Sequence, residues 1–361
     1  MQHPDTLREI YENRREQLRS IMQGEGFRAL IVALDANRYY LSGFELHDPQ
    51  PDETAGYLVI QTNGKDYLCT DPRYYDAARR LWDEDAIVIY QGAAAQSLST
   101  LIKNEVGTAN VGFDARHISV DFFSRLDIPG LTRCDEIVEA LRVIKDDYEI
   151  AAIAESCALN EKMMQWLPSR LTPGKTEAQI AWELEQYFRN NGASELAFAS
   201  IVAVNGNAAL PHAQPCDTPI TDGCAVLVDV GCRLNSYCSD QTRTFWVGQE
   251  PTPFFQNNLE SVQRAQAKAI KAIRPGVTGA EVYEVARKSL EEDGLAHLFT
   301  HGLGHGVGLQ THEGPRLSPR EERRLAPGMV VTVEPGVYYS GRLGIRWEHM
   351  VVVTDEGCEV L

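Results

Sequence analysis

Four carboxylates stand in strand-like, apolar surroundings. Asp229 follows Val226-Leu227-Val228 and Glu334 follows Val330-Val331-Thr332-Val333. Asp240 lies within Tyr237-Cys238-Ser239-Asp240-Gln241-Thr242-Arg243, and Glu348 ends Gly344-Ile345-Arg346-Trp347-Glu348, just before Met350-Val351-Val352-Val353. An ionised carboxylate in a core is costly unless it is paired or coordinates a metal. One such residue is more often half of a salt bridge than a ligand. Four, spaced 11 residues apart in the first pair and 14 in the second, read as two hairpins presenting one carboxylate per strand. Like charges that close raise one another's pKa, a conflict that divalent cations remove. The nitrogen donor is His305, in His301-Gly302-Leu303-Gly304-His305-Gly306-Val307-Gly308, where alternating glycines let backbone approach a ligand closely. A lone histidine is usually structural; this one has His301 and His312 nearby. One imidazole with four carboxylates suits two divalent ions of the manganese, cobalt, zinc or iron type, manganese being the first expectation. Two of the carboxylates would bridge the ions at about 3.5–4 Å separation.

The elements that must position these residues form an internal repeat. Thr172-Pro173-Gly174-Lys175-Thr176-Glu177-Ala178 matches Arg274-Pro275-Gly276-Val277-Thr278-Gly279-Ala280 at an offset of 102 residues. Each opens a helix with a threonine N-cap and ends at a glycine, Gly192 or Gly294. Further on, Gly223 to Asp229 resembles Gly328 to Glu334, both strand-like runs that end in a carboxylate. Two aligned segments in the same order predict a pseudo-two-fold domain of two α/β halves whose sheets bring the carboxylate strands together.

The amino-terminal part reads as a smaller α/β domain. A helix over about 5–24 leads to the buried strand Ala29 to Leu34, then to strands at Tyr57 to Ile60, Tyr67 to Cys69, Ala86 to Tyr90 and Val111 to Phe113, with an acidic loop over 45–54. A long, kinked amphipathic helix is expected over 137–167, with a hinge at Leu141 to Asp147. The expected domains are therefore 1–140 and 141–361.

With 361 residues the chain supports a large core, and its net charge of −17 argues against nucleic acid as a partner. The eight cysteines form no CxxC pair, and neither a signal-like apolar segment nor a membrane-spanning run is evident. The expectation is a cytoplasmic protein with no membrane partner.

The set Asp229, Asp240, His305, Glu334 and Glu348 resembles the five-ligand dimetal site of the "pita-bread" peptidases, which include methionine aminopeptidase, aminopeptidase P, prolidase and the metal-free creatinase. The resemblance extends to Phe198 to Val202, Pro211-His212-Ala213, Ser239 to Phe245, His312-Glu313-Gly314-Pro315 and Val333 to Tyr338. In the amino-terminal half, Asn37 to Phe44 and Thr70 to Tyr74 resemble the creatinase/prolidase-type extra domain. The implied fold is α/β (α+β), a creatinase-like domain followed by a pseudo-two-fold catalytic domain. The extra domain favours the proline-directed branch, and the complete ligand set sets the chain apart from creatinase-like amidinohydrolases.

The resemblance also implies roles. Asp240 and Glu348 bridge the ions, Asp229 completes one site, and His305 with Glu334 completes the other. Glu334 moves the proton to the leaving nitrogen, and His212 and His312 contact substrate. His301 lines the pocket or packs in the core, Arg346 hydrogen-bonds Asp240 or forms a structural ion pair, Tyr237 orients a ligand or only packs, and Phe198 and Tyr338 wall the proline ring. His349 stands where many members carry an acid. The implied substrate is a peptide or dipeptide with proline second, and the implied assembly is a homodimer. Other readings are a lyase acting on a small acid on the same fold, and a non-catalytic binding homologue.

Overall fold

Residues 4–50 and 53–361 are described by the computed structural model; Pro51 and Asp52, in the expected acidic loop, and Met1 to His3 lie outside them. The chain forms two compact units, 1–142 and 143–361.

The first unit opens with α1 (Pro4–Gly24), β1 (Ala29–Val32) and α2 (Asp35–Ser42), followed by β2 (Gly56–Gln61) and β3 (Tyr67–Thr70). Then come α3 (Tyr75–Ala78), β4 (Ile87–Ile89), α4 (Ala94–Glu105), β5 (Val111–Phe113), α5 (Val120–Arg125), β6 (Leu131–Arg133) and α6 (Ile137–Arg142). The six strands make one mixed sheet in the order β4-β3-β2-β1-β5-β6. Strands β1, β2 and β3 are buried on both faces, which is why they read as continuous apolar runs rather than as alternation. Fully buried Arg38 donates to the carbonyls of Glu45 and Gly56 and to Asp48, anchoring both ends of the acidic loop.

The expected helix over 137–167 is interrupted. After α6 the chain leaves the helix at 143–146, and α7 (Asp147–Trp166) starts afresh. The cause is local: Asp146 accepts from the Glu149 N–H and the Glu149 side chain accepts from the Asp146 N–H, a capping box that fixes a new helix start.

The second unit contains two related halves. In the first, α7 and α8 (Glu177–Asn190) precede β7 (Glu195–Leu196), β8 (Ile201–Val204), β9 (Cys224–Val230), β10 (Cys232–Leu234), β11 (Tyr237–Cys238) and β12 (Gln241–Val247). In the second, α9 (Pro253–Ala272) and α10 (Gly279–Glu292) precede β13 (Gly304–Gly306), β14 (Glu313–Leu317), β15 (Val330–Val333), β16 (Gly336–Tyr339), β17 (Leu343–Arg346), β18 (His349–Val353) and β19 (Cys358–Val360). The repeat seen in the sequence recurs in detail. Thr176 and Thr278 each close a capping box, and each helix has 14 residues. Gly174 and Gly276 both adopt positive φ, 95° and 88°, which a side chain would strain. The main sheets are the antiparallel β12-β9-β8 and β14-β13-β15-β18-β19. A hairpin interrupts each carboxylate-bearing strand pair: β10 and β11 lie between β9 and β12, and β16 and β17 lie between β15 and β18.

Candidate metal centre

All five expected ligand positions lie where a strand enters or leaves its ladder, or on the strand beside it. Asp229 sits on β9 opposite Thr242, and Asp240 immediately precedes β12. Val333 pairs with His349, so Glu334 and Glu348 are the next residues beyond that rung. His305 is the middle residue of β13, flanked by Gly304 and Gly306, where a Cβ would come within 2.0 Å of the Thr332 and Gly314 carbonyl oxygens. The glycines let β13 lie against its neighbours closely enough to carry His305 inward.

The side chains converge. His305 Nε2 is 3.6 Å from Asp240 Oδ2 and 3.5 Å from Glu334 Oε1. Ligand atoms of Asp240, His305 and Glu348 all lie within 4.8 Å of one another. Burial and the neighbouring carboxylates push Asp240 and Glu334 well above the usual carboxylate range. Glu348 is pushed up to about 8 by burial and then by Asp229, against the hydrogen bond from Thr242 Oγ1 at 2.7 Å. Burial and then His312 hold His305 down at about 4, leaving an imidazole that is neutral at pH 7 and has a nitrogen lone pair free for a cation. Two like charges 4 Å apart repel by about 4 kcal/mol at an effective dielectric of 20, so four ionised carboxylates here require compensating cations. Asp229 Oδ1 fits that requirement: it is buried and has no hydrogen-bond partner among the described groups. The donor set, carboxylate oxygens with one imidazole, suits divalent ions.

Arg346 corrects one expectation. Its guanidinium donates to Asp229 Oδ2 at 2.6 Å, rather than to Asp240. It also donates to the Tyr338 hydroxyl at 2.9 Å, the Thr242 hydroxyl at 3.1 Å and the Pro211 carbonyl at 3.4 Å. Tyr338 is buried, with its hydroxyl between Arg346 and His301 Nε2, 2.8 Å away, so it braces the site and does not offer a free wall. His301 places Nδ1 2.7 Å from the Gly302 carbonyl, and burial holds it at about 4. Tyr237 donates to Glu149 Oε1 at 3.1 Å. Phe198 is half-buried. His212 and His312 are exposed; His312 packs edge-on against His305 with centroids 4.3 Å apart. Burial and then His212 lower the His312 pKa.

His349 Nε2 accepts from Arg243 Nη2 at 2.7 Å, and its Nδ1 is 3.2 Å from Gln266 Oε1. Gln266 in turn donates to the Val333 and Trp347 carbonyls, one residue before Glu334 and Glu348 respectively. Sequence reasoning assigned no role to Thr242 or Thr332. Thr242 links Arg346 to Glu348, and Thr332 receives the His305 N–H at 3.1 Å and lies 3.4 Å from Glu334 Oε1. Alternation along β12 and β15, which puts residues two apart on one face, was the available signal. A second group, Asp114, His117 and Glu139 in the first unit, was also not foreseen. Arg116 already donates to Asp114 and Glu139 there, which makes the group an ion-pair network.

A family model described as metallopeptidase family M24 matches residues 151–355, and one described as the creatinase/prolidase N-terminal domain matches 14–144. The chain belongs to metallopeptidase family M24. It is therefore a peptidase, with the creatinase-type N-terminal domain followed by the pita-bread catalytic domain. An Xaa-Pro dipeptidase of Pyrococcus furiosus is 31% identical over 97% of both chains. Among solved structures, an Xaa-Pro dipeptidase from Bacillus anthracis is 32% identical over 97% of each chain with a TM-score of 0.90. An X-Pro aminopeptidase from Thermotoga maritima is 31% identical over 93% of this chain and 95% of its own, with a TM-score of 0.83.

Proposed function

We propose that this M24 member hydrolyses the Xaa-Pro bond at the N-terminus of a peptide, with a dipeptide as its first substrate. The observation that carries the reading is the convergence of Asp229, Asp240, His305, Glu334 and Glu348, with a neutral imidazole and an unpartnered buried Asp229 oxygen among them. The proline preference rests on the names of the relatives, two Xaa-Pro dipeptidases and an X-Pro aminopeptidase.

In this reading Asp229, Asp240, His305, Glu334 and Glu348 would together hold two divalent ions. The ions, when bound, supply Lewis-acid polarisation of the scissile carbonyl and a lowered pKa for the attacking water. Glu334 accepts the proton released as water adds to the carbonyl carbon and returns it to the proline nitrogen as the C–N bond breaks. His212 and His312, exposed beside the cluster, donate hydrogen bonds to the carbonyl oxygen as it gains charge. Arg346 and Tyr338 hold Asp229 and His301 in place. An Xaa-Pro bond is a tertiary amide without an N–H, so recognition by an extended-strand hydrogen-bond ladder loses a donor there. A recessed site that grips the free amine and the ring avoids that loss.

Manganese, a homodimer and a cytoplasmic location belong to the same proposal. All eight cysteines are free, in keeping with a reducing compartment, and no helix among the described residues is long and apolar enough to cross a membrane. Light scattering at twice 40.2 kDa checks the dimer. The deciding assay is cleavage of Gly-Pro against Gly-Pro-Xaa by chelator-stripped protein reloaded with manganese, cobalt or zinc. Gly-Pro should be cut faster. Failure to cut either peptide with any of the three ions would end the proposal.

A further inference from the structure

Glu177, the first residue of α8, is a fully buried carboxylate outside the metal centre with no basic side chain on it in the hydrogen-bond network. Acidic residues in the first turn of a helix are ordinarily exposed and answer the helix dipole. This one instead points at four donors. Its Oε1 accepts from the Val204 N–H at 2.7 Å and from Asn207 Nδ2 at 2.9 Å. Its Oε2 accepts from the Cys216 N–H at 3.1 Å and from the Cys216 thiol at 3.1 Å. One oxygen therefore grips the start of segment 204–216 and the other grips its end. Between those ends stand exposed Leu210 and His212, and Pro211, whose carbonyl accepts from Arg346.

The sister half shows that the fold does not demand this residue. The matching first residue of α10 is Gly279, where a Cβ would lie 2.2 Å from the Arg316 carbonyl oxygen. There the segment that follows His312 is tied by Glu321, whose carboxylate accepts from the Arg316 and Arg323 N–H groups at 3.3 and 2.9 Å. A carboxylate thus pins the segment bearing His212 in one half and the segment following His312 in the other, supplied by the helix in the first and by the segment itself in the second.

We infer that Glu177 is a positioning residue that clamps the two ends of segment 204–216 and so sets where His212 stands at the metal centre. The inference rests on the Xaa-Pro reading for its kinetic consequence, but not for its structural one. A carboxylate is needed because all four partners donate; an amide in its place would turn an N–H toward one pair of donors. Leaving buried donors unmet loosens the segment rather than the metal ligands, none of which Glu177 touches.

The test uses the full chain loaded with manganese. Glu177→Gln should keep the wild-type metal stoichiometry and far-UV spectrum, while hydrogen exchange of peptides covering 204–216 speeds up and kcat/KM for Gly-Pro falls about 100-fold. Asn207→Ala, a partner on the surface side, should shift both readouts in the same direction by less. It carries the test if Glu177→Gln does not fold. Unchanged exchange in 204–216, or faster exchange with unchanged kcat/KM, or activity lost in step with metal, would each overturn the clamp. If the wild-type protein leaves Gly-Pro intact, the Xaa-Pro reading falls and the exchange measurement still decides the clamp.

Discussion

Replacing Arg346 by glutamine shortens the side chain and removes the charged donor 2.6 Å from Asp229 Oδ2 and the bond to Tyr338. Partners of this kind set the orientation of a ligand carboxylate, so manganese affinity measured by titration calorimetry should fall about 10–100-fold. Lysine should rescue little, because it lacks the planar fork that reaches Asp229, Tyr338 and Thr242 together. Wild-type affinity in the glutamine variant would mean that Asp229 is oriented by something else. Glu348 gives a pH signature in protein stripped of divalent ions. Its folded pKa of about 8 stands above an ordinary value of 4.5. Below pH 4.5 both states hold the proton; between 4.5 and 8 only the folded state does, so stability drops as pH rises through that window. His301, His305 and His349, held near 4 against an ordinary 6.5, give the opposite slope, but only below 6.5, since above it they are neutral in both states. The interval from 6.5 to 8 therefore isolates the raised carboxylates, of which Glu348 alone is worth on the order of 2 kcal/mol. The melting temperature of stripped protein should decline across it, and Glu348→Gln should flatten the decline. Equal slopes in the two proteins would refute the assignment.

The paired helices α8 and α10 carry the repeat, and their starts are testable. Thr278→Ala removes the hydroxyl that accepts from the Glu281 N–H at 3.1 Å and should cost about 1 kcal/mol, or roughly 2–4 °C in the catalytic unit's melting temperature. A drop of that size from calorimetry, with activity kept, is the expected result; no drop would show that the cap is redundant. These helices were legible because Pro-Gly, a threonine cap and a terminal glycine leave a local signature. So were the buried strands, whose unbroken apolar runs need both faces covered. The break at 143–146 was partly legible: amphipathic periodicity suggested a long kinked helix with a hinge at Leu141 to Asp147, and the spacing of Asp146 and Glu149 marks the fresh start. The partner of Arg346 was not legible. Its meeting with Asp229 depends on β17 lying across β12, where Thr244 Oγ1 bonds both the N–H and the carbonyl of Arg346, and no spacing within the chain reports that crossing. The same holds for Tyr338, whose hydroxyl serves two neighbours while its ring is packed away.

At the scale of the whole chain, each unit has a hydrophobic core of its own, one around β1, β2 and β5, the others beneath the two sheets of the catalytic half. Calorimetry should resolve two unfolding transitions. Manganese at about 100 times its dissociation constant should stabilise only the one belonging to 143–361, by about 2.7 kcal/mol. A single transition, or an equal shift of both, would show that the units melt together.

The five site residues are divided between the two repeats: Asp229 and Asp240 come before the exposed stretch Gly248 to Glu250, and His305, Glu334 and Glu348 come after it. Neither repeat carries a full coordination set. A chain cut at that stretch would yield two pieces that already share the Arg346–Asp229 and Thr242–Glu348 contacts, and divalent ions would add to that hold, so the ion would work as an adhesive as much as a reagent. Reassembly of such fragments, followed by light scattering as manganese is added, would turn the repeated motif into a switchable reporter of free metal.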